Sequence, residues 1–200
     1  SSITTAQSLT FTADGFVGVT QSVTPTFKPS SITINTGVTT GGTFTNGVFE
    51  ANSNGAVNIL NSDLETALAA GDVLSESSGS ITISAAVAGS TSSALTLKAG
   101  ADILQGAVAV STTGGAITYW ADSDVGTTRG GIQTARGSSI ATNGGALTMS
   151  GGTEIATGYA KGTSNTNQRG LTMQGAIPTV GGAVSIRGEI SDTEPPIGAG

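Results

Sequence analysis

The densest group of reactive side chains is Asp122-Ser123-Asp124-Val125-Gly126, set directly after Tyr119-Trp120. Aspartates two residues apart can converge on calcium, which binds oxygen ligands. The EF-hand register does not follow. Gly126 stands at the fifth position, Thr127 at the sixth, and Gln133 where a bidentate Glu belongs. The competing reading of Asp122 and Asp124 is a solvated turn. The same acids offer a second chemistry. Glycoside cleavage uses two carboxylates flanking the scissile bond, and Asp122 could pair with Asp124, Glu154 or Asp102. The 13 acidic residues are scattered singly, so spacing alone assembles no such constellation. Tyr119, Trp120 and Tyr159 could stack on sugar rings. Trp120 alternates outward where Tyr119 points in, which marks it as a contact residue; packing against a neighbouring loop is the plainer account.

All four arginines precede glycine, as Arg129-Gly130, Arg136-Gly137, Arg169-Gly170 and Arg187-Gly188. Stacked on one face they would form an anion-binding ladder. As corner residues they would pair with Asp or Glu nearby. The Gly-Gly pairs are turn chemistry, with no Lys-Ser/Thr following as a phosphate loop requires. The chain has no His and no Cys. That removes the Ser-His-Asp triad, His-ligated zinc, thiol nucleophiles and a disulfide framework. No catalytic, cofactor-binding or metal-binding residue is assigned, no cofactor is expected, and the chain is not expected to be an enzyme.

The elements that must position these residues follow from composition and repeat. The chain has 200 residues, of which 31 are Gly, 24 Ser and 32 Thr. Charged residues make up 10 %, well under the usual quarter, and the net charge is −6. An acidic balance with seven Lys and Arg argues against nucleic acid. Disorder goes with low hydrophobicity and high charge, whereas 36 % of residues here are hydrophobic and mean hydropathy is +0.15. No apolar run approaches the roughly 20 residues of a membrane span, so no membrane insertion is expected. The opening Ser1-Ser2-Ile3 and the closing Glu194-Pro195-Pro196 read as the ends of a processed product or a segment of a larger exported protein.

One phrase recurs: a small residue or two, then apolar–Thr/Ser–apolar. It appears as Gly79-Ser80-Ile81-Thr82-Ile83, Ser93-Ala94-Leu95-Thr96-Leu97 and Gly115-Ala116-Ile117-Thr118-Tyr119. It returns as Gly145-Ala146-Leu147-Thr148-Met149, Gly170-Leu171-Thr172-Met173 and Gly182-Ala183-Val184-Ser185-Ile186. Looser copies are Ser31-Ile32-Thr33-Ile34 and Gly55-Ala56-Val57-Asn58-Ile59. Period-two alternation makes each a strand with its apolar residues buried and Thr or Ser outward. Weaker strand signals follow at Ile103, Ile140, Ile155, Ile177 and Ile190. The leading apolar residues at 57, 81, 95, 117, 147, 171 and 184 are separated by 24, 14, 22, 30, 24 and 13 residues. The two short gaps read as successive faces of one coil. Strands this short suit a solenoid whose turns share one core. Coils of about 22 residues, rising roughly 4.8 Å each, would give about eight coils on the order of 40 Å long. The alternative is an antiparallel sandwich.

Ser62 to Gly71 breaks the pattern and reads as a short helix over 62–70, placed at a coil corner. Ser62 would cap it, Glu65 would complete a capping box, and Gly71 would end it in a left-handed conformation. All five Phe lie before residue 50. The expected organisation is an irregular Phe-containing β region over 1–54, solenoid coils over 55–191, and a linker or tail over 192–200.

Several of these segments carry a resemblance. Ser62-Asp63-Leu64-Glu65-Thr66-Ala67-Leu68-Ala69-Ala70-Gly71-Asp72-Val73 is similar to the helix-then-coil segment of large filamentous-haemagglutinin-type exoproteins. Trp120-Ala121-Asp122-Ser123-Asp124, Gly130-Gly131-Ile132 and Ser139-Ile140-Ala141-Thr142-Asn143-Gly144-Gly145-Ala146-Leu147 fit the same family, over roughly residues 55–190. The resemblance implies an all-β, right-handed parallel β-helix exported to the cell surface or secreted, serving as an adhesin or fibre. The partners expected are neighbouring coils or copies end to end, and a cell-surface glycan or protein. A polysaccharide-binding or polysaccharide-cleaving β-helix is the second reading.

Overall fold

The computed structural model describes residues 26–124, 130–162, 169–178 and 181–189. Phe11, Phe16, Arg129, Ile190 and the expected tail over 192–200 lie outside the described residues, as do Val125, Gly126 and Thr127. The chain is mostly β. β1 (Ser31–Asn35), β2 (Gly42–Thr45), β3 (Val48–Ala51) and β4 (Ala56–Leu60) precede α1 (Asn61–Ala70). Then come β5 (Val73–Ser77), β6 (Ser80–Ile83), β7 (Val87–Ala88), β8 (Leu95–Ala99), β9 (Ile103–Gln105), β10 (Ala109–Ser111) and β11 (Ile117–Ala121). β12 (Ile132–Thr134), β13 (Ser139–Ala141), β14 (Leu147–Gly151), β15 (Ala160–Lys161), β16 (Leu171–Met173), β17 (Val184–Ile186) and β18 (Gly188–Glu189) complete the order. No helix among the described residues is long and apolar enough to cross a membrane.

The strands pair in parallel except for β2 with β3. One has six strands in the order β16-β12-β9-β6-β1-β4, one seven in the order β17-β14-β11-β8-β5-β3-β2, and one three in the order β13-β10-β7; β15 pairs with β18. From β6 to β14 the chain visits the six-, three- and seven-stranded sheets in strict rotation. The rotation explains the uneven gaps. The short steps from Ile81 to Leu95 and from Leu171 to Val184 cross from the six-stranded to the seven-stranded sheet. The steps from Leu95 to Ile117 to Leu147 are neighbours within the seven-stranded sheet.

Register stacks like on like. Val57, Ile32, Ile81, Ile103, Ile132 and Leu171 form one inward file, and Val73, Leu95, Ile117, Leu147 and Val184 another. The core runs through these files, with Ile32, Ile81, Ile103, Ile117, Ile132 and Leu147 all fully buried. The small residues leading each phrase have a steric reason. A Cβ at Gly145 would run into the Gly115 carbonyl, and one at Gly182 into the Gly145 carbonyl. Glycine lets successive corners lie directly on one another. At β17, the edge strand of the seven-stranded sheet, the inward pattern loses its cover: Val184 is 46 % and Ile186 38 % exposed. Ile155 is not in a strand but in a turn closed by the Gly158 N–H on the Glu154 carbonyl at 2.7 Å.

The N-terminal end is built differently. β2 and β3 form the antiparallel pair, joined by Asn46-Gly47 with φ of 48° and 79°. Two positive-φ residues make a tight turn matched to strand twist, a need that Asn-Gly meets. β4 returns to lie outside β1, and α1 follows it. Leu64 and Leu68 bury one side of α1. The helix starts at Asn61 with no side-chain cap, so the expected capping box is not formed. Glu65 is used elsewhere: its Oε1 accepts the Ala88 N–H at 2.9 Å. Asn61 Nδ2 donates to the Ala86 carbonyl at 2.9 Å. α1 therefore covers the open edge of β7 with side chains that mimic a neighbouring strand, one of the ways proteins protect sheet edges. Gly71 has φ 164°, extended rather than left-handed, and a Cβ there would meet nothing. The expectation of a left-handed stop was wrong because the chain leaves α1 directly into β5.

Candidate functional site

The acids singled out in the sequence are placed as parts of loops. Asp122 is nearly buried at φ 51°, and its N–H donates to the Ala101 carbonyl at 3.1 Å while that of Ser123 donates to Ala99 at 3.0 Å. The Asp122–Asp124 loop thus rests on the corner below it. Asp102 turns to the neighbouring loop, where its Oδ1 accepts the Gly131 N–H at 2.7 Å. Glu154 sits in the Ile155 turn. Among the described residues no three acidic groups gather in a way that would hold a metal ion.

The outward row of the seven-stranded sheet is more organised. Glu76, Lys98 and Trp120 stand in register on β5, β8 and β11. Lys98 Nζ lies 3.0 Å from Glu76 Oε1 and 4.6 Å from the centre of the Trp120 ring. Lys28 approaches the same Glu76 oxygen at 2.9 Å. Burial, with Glu76 only 8 % exposed, would raise its carboxyl; the hydrogen bonds and charges of Lys28 and Lys98 outweigh that and hold it below its ordinary value. Trp120 Nε1 donates to the Gly152 carbonyl at 2.6 Å. The indole is committed to a lysine and a loop, which is the plainer of its two sequence readings. Tyr119 points inward as expected and is fully buried. Its hydroxyl donates to Gln105 Oε1 at 3.1 Å, and Gln105 Nε2 donates to the carbonyls of Val108 and Ser139 at 2.9 and 3.1 Å. This node ties the six-, seven- and three-stranded sheets together inside the core. Tyr159 is exposed in a loop.

The arginines do not form acid pairs among the described residues. Arg187 donates instead to the carbonyls of Ile155 and Ala156, and the ion pairs run from lysines, including Lys161 with Glu189 at 3.8 Å. Arg136 and Arg169 are exposed.

A concave feature of the described surface is a cleft of about 880 Å³ between α1 and the β2–β3 hairpin. Sequence reasoning missed it, because its two walls are some twenty residues apart and meet only through the return of β4. One wall is the α1 face carrying Asp63, Thr66, Ala67 and Ala70. Residues three, four and seven apart share a helix face. The other wall holds Thr39, Thr43 and Phe44. Phe44 is half-buried and meets Phe49 edge to face, 5.3 Å between ring centres. Asp63 Oδ2 accepts the Thr39 hydroxyl at 2.5 Å, and Asp72, at the far end of the helix, accepts the Ala94 N–H at 2.8 Å. The cleft thus offers carboxylates, hydroxyls and an aromatic wall. Comparisons of the chain with protein-family models, with curated proteins and with solved structures return no match.

Proposed function

We propose that this chain is an extracellular structural or adhesive scaffold, folded as a right-handed parallel β-helix with the six-, seven- and three-stranded sheets as its faces. The observation that carries the proposal is the rotation of the chain through three parallel sheets, in register from one rung to the next. A stack of this kind gains core and length together with each rung. Its outward files carry Thr96, Thr118 and Thr148 in register, a β-branched polar surface that keeps the sheet wetted. The resemblance to filamentous-haemagglutinin-type proteins supports the placement at a cell surface.

End-to-end association belongs to the same proposal, with one direction. α1 covers β7 through Glu65 and Asn61, and Thr40 bridges Asn58 along the outside of β4. The β16–β17 end, with Val184 and Ile186 exposed, is the end on which a neighbouring rung would lie. The second reading, a polysaccharide-binding β-helix, is favoured by the cleft between α1 and the hairpin. Adhesion is tested by coating beads with the purified chain and counting their attachment to cultured epithelial cells against beads coated with an unrelated protein of equal charge. Specific attachment that soluble chain competes away supports the adhesive reading; attachment equal to the control removes it.

A further inference from the structure

We infer that the cleft between α1 and the β2–β3 hairpin binds a short neutral oligosaccharide. This rests on the polysaccharide-binding reading above and names the ligand class of its site. At about 880 Å³ the cleft falls within the roughly 300–1,000 Å³ of sites that take small ligands. Its lining matches the two sides of a sugar ring. Phe44 supplies an aromatic wall against which the C–H face of a pyranose packs, burying apolar area without needing charge. Ala67 and Ala70 face it from α1, and their side chains are too short to fill the space. Around this apolar strip stand Thr43, whose hydroxyl both donates and accepts, Thr66, whose hydroxyl donates to the Ser62 carbonyl at 2.8 Å and can still accept, Thr39, whose hydroxyl is used on Asp63 and the Leu60 N–H, and Asp63 and Asp72, which accept.

The two carboxylates are held in place before any ligand arrives. Thr39 bonds Asp63, and the Ala94 N–H bonds Asp72. Each carboxylate keeps acceptor capacity for hydroxyl donors, since an ionised carboxylate offers about four lone-pair sites. Charge selects the class. Among the described residues neither Lys nor Arg lines the cleft. An anionic glycan or a phosphate would meet two carboxylates with no cation to offset them, which disfavours the wrong partner strongly. A neutral polyol meets only acceptors and hydroxyls that it can satisfy. Pre-placed groups lower the ordering cost of binding.

The test is an amide-resolved NMR titration of the full chain with cellotriose, maltotriose and tri-N-acetylchitotriose, with a heparin trisaccharide and spermine as charged probes. The expected result is that at least one neutral trisaccharide, at millimolar concentration, shifts amides over 39–47 and 63–72. Ala70→Trp fills the cleft from an exposed helix position and should weaken that binding by roughly tenfold or more. Asp63→Asn keeps an acceptor for Thr39 and should weaken binding less. Thermal melts matched to the parent show that both variants fold. The inference is overturned if no neutral probe shifts those amides, if Ala70→Trp binds as the parent does, or if only heparin or spermine binds. The scaffold reading survives each of these outcomes, because it is read from rung order and bead attachment and not from the cleft.

Discussion

Removing one hydroxyl from the core should be costly out of proportion to its size. Tyr119 and Gln105 are both buried, and the phenol donates to the amide oxygen at 3.1 Å. Tyr119→Phe deletes a hydrogen bond worth about 0.5–1.5 kcal/mol net and leaves Gln105 Oε1 unpaired in the core, a penalty of about 1–3 kcal/mol. The phenol's own desolvation is recovered, so the expected loss is about 1–2 kcal/mol. Gln105→Leu should cost more, about 2–4 kcal/mol, because it orphans the Tyr119 hydroxyl and takes the amide donor from the Val108 and Ser139 carbonyls. The double variant should cost less than the sum, with a coupling of about 1 kcal/mol. Urea unfolding followed by the fluorescence of the single Trp, Trp120, reads all three. The slope of free energy against urea should stay constant while the midpoint moves. A neutral or stabilising Tyr119→Phe, or strict additivity, would refute the idea that this pair joins the sheets.

Three further outcomes are expected. Leu147→Asp puts an unpaired charge in the inward file and should prevent folding, whereas Thr148→Asp, one residue along and outward, should melt within a few degrees of the parent; equal damage would mean the strand faces are misassigned. Gly145→Ala should destabilise by on the order of 1–3 kcal/mol, because its Cβ meets the Gly115 carbonyl, while Gly71→Ala should be neutral or slightly stabilising; calorimetry that ranks them the other way rejects the close-corner argument. Glu76 has a carboxyl held below its ordinary value of 4.5, so its contribution is complete above that pH and is lost as pH falls through the depressed value. Glu76→Gln should therefore flatten the acid limb of a stability–pH curve, and an unchanged limb would show that the pair with Lys28 and Lys98 is inert.

Much of the strand pattern was legible in the sequence because it is local. Ile81, Ile83, Leu95, Leu97, Leu147 and Met149 are inward where alternation put them. The helix was legible through Leu64 and Leu68, but its cap was not: Glu65 had a local partner available and bonds the Ala88 backbone instead, a tertiary contact no spacing rule contains. Asn46-Gly47 is a strong hairpin signal that the repeat obscured, and it marks the antiparallel pair. Gln105 escaped notice because an apolar-pattern reading has no place for a polar residue in an inward file. The cleft was invisible for a different reason. Phe44 and Ala67 share no local pattern, and only the reversal that carries β4 outside β1 brings hairpin and helix together.

That reversal also permits the most direct test of a scaffold built from stacked rungs. Outward positions Asn58, Thr33, Thr82, Leu104, Gln133 and Thr172 form one file across the six-stranded sheet. Thr33 is therefore four strand steps from Thr172, about 19 Å at roughly 4.8 Å per step, and Asn58 is five steps away, about 24 Å. The chain has no Cys, so spin labels at engineered Cys pairs are unique. Pulsed electron–electron distance measurement on Thr33→Cys/Thr172→Cys and Asn58→Cys/Thr172→Cys should give two narrow distributions, the first shorter, although Thr33 is the more distant in sequence. Broad distributions, or a shorter distance from Asn58, would contradict the stacked, parallel rungs on which the proposed scaffold depends.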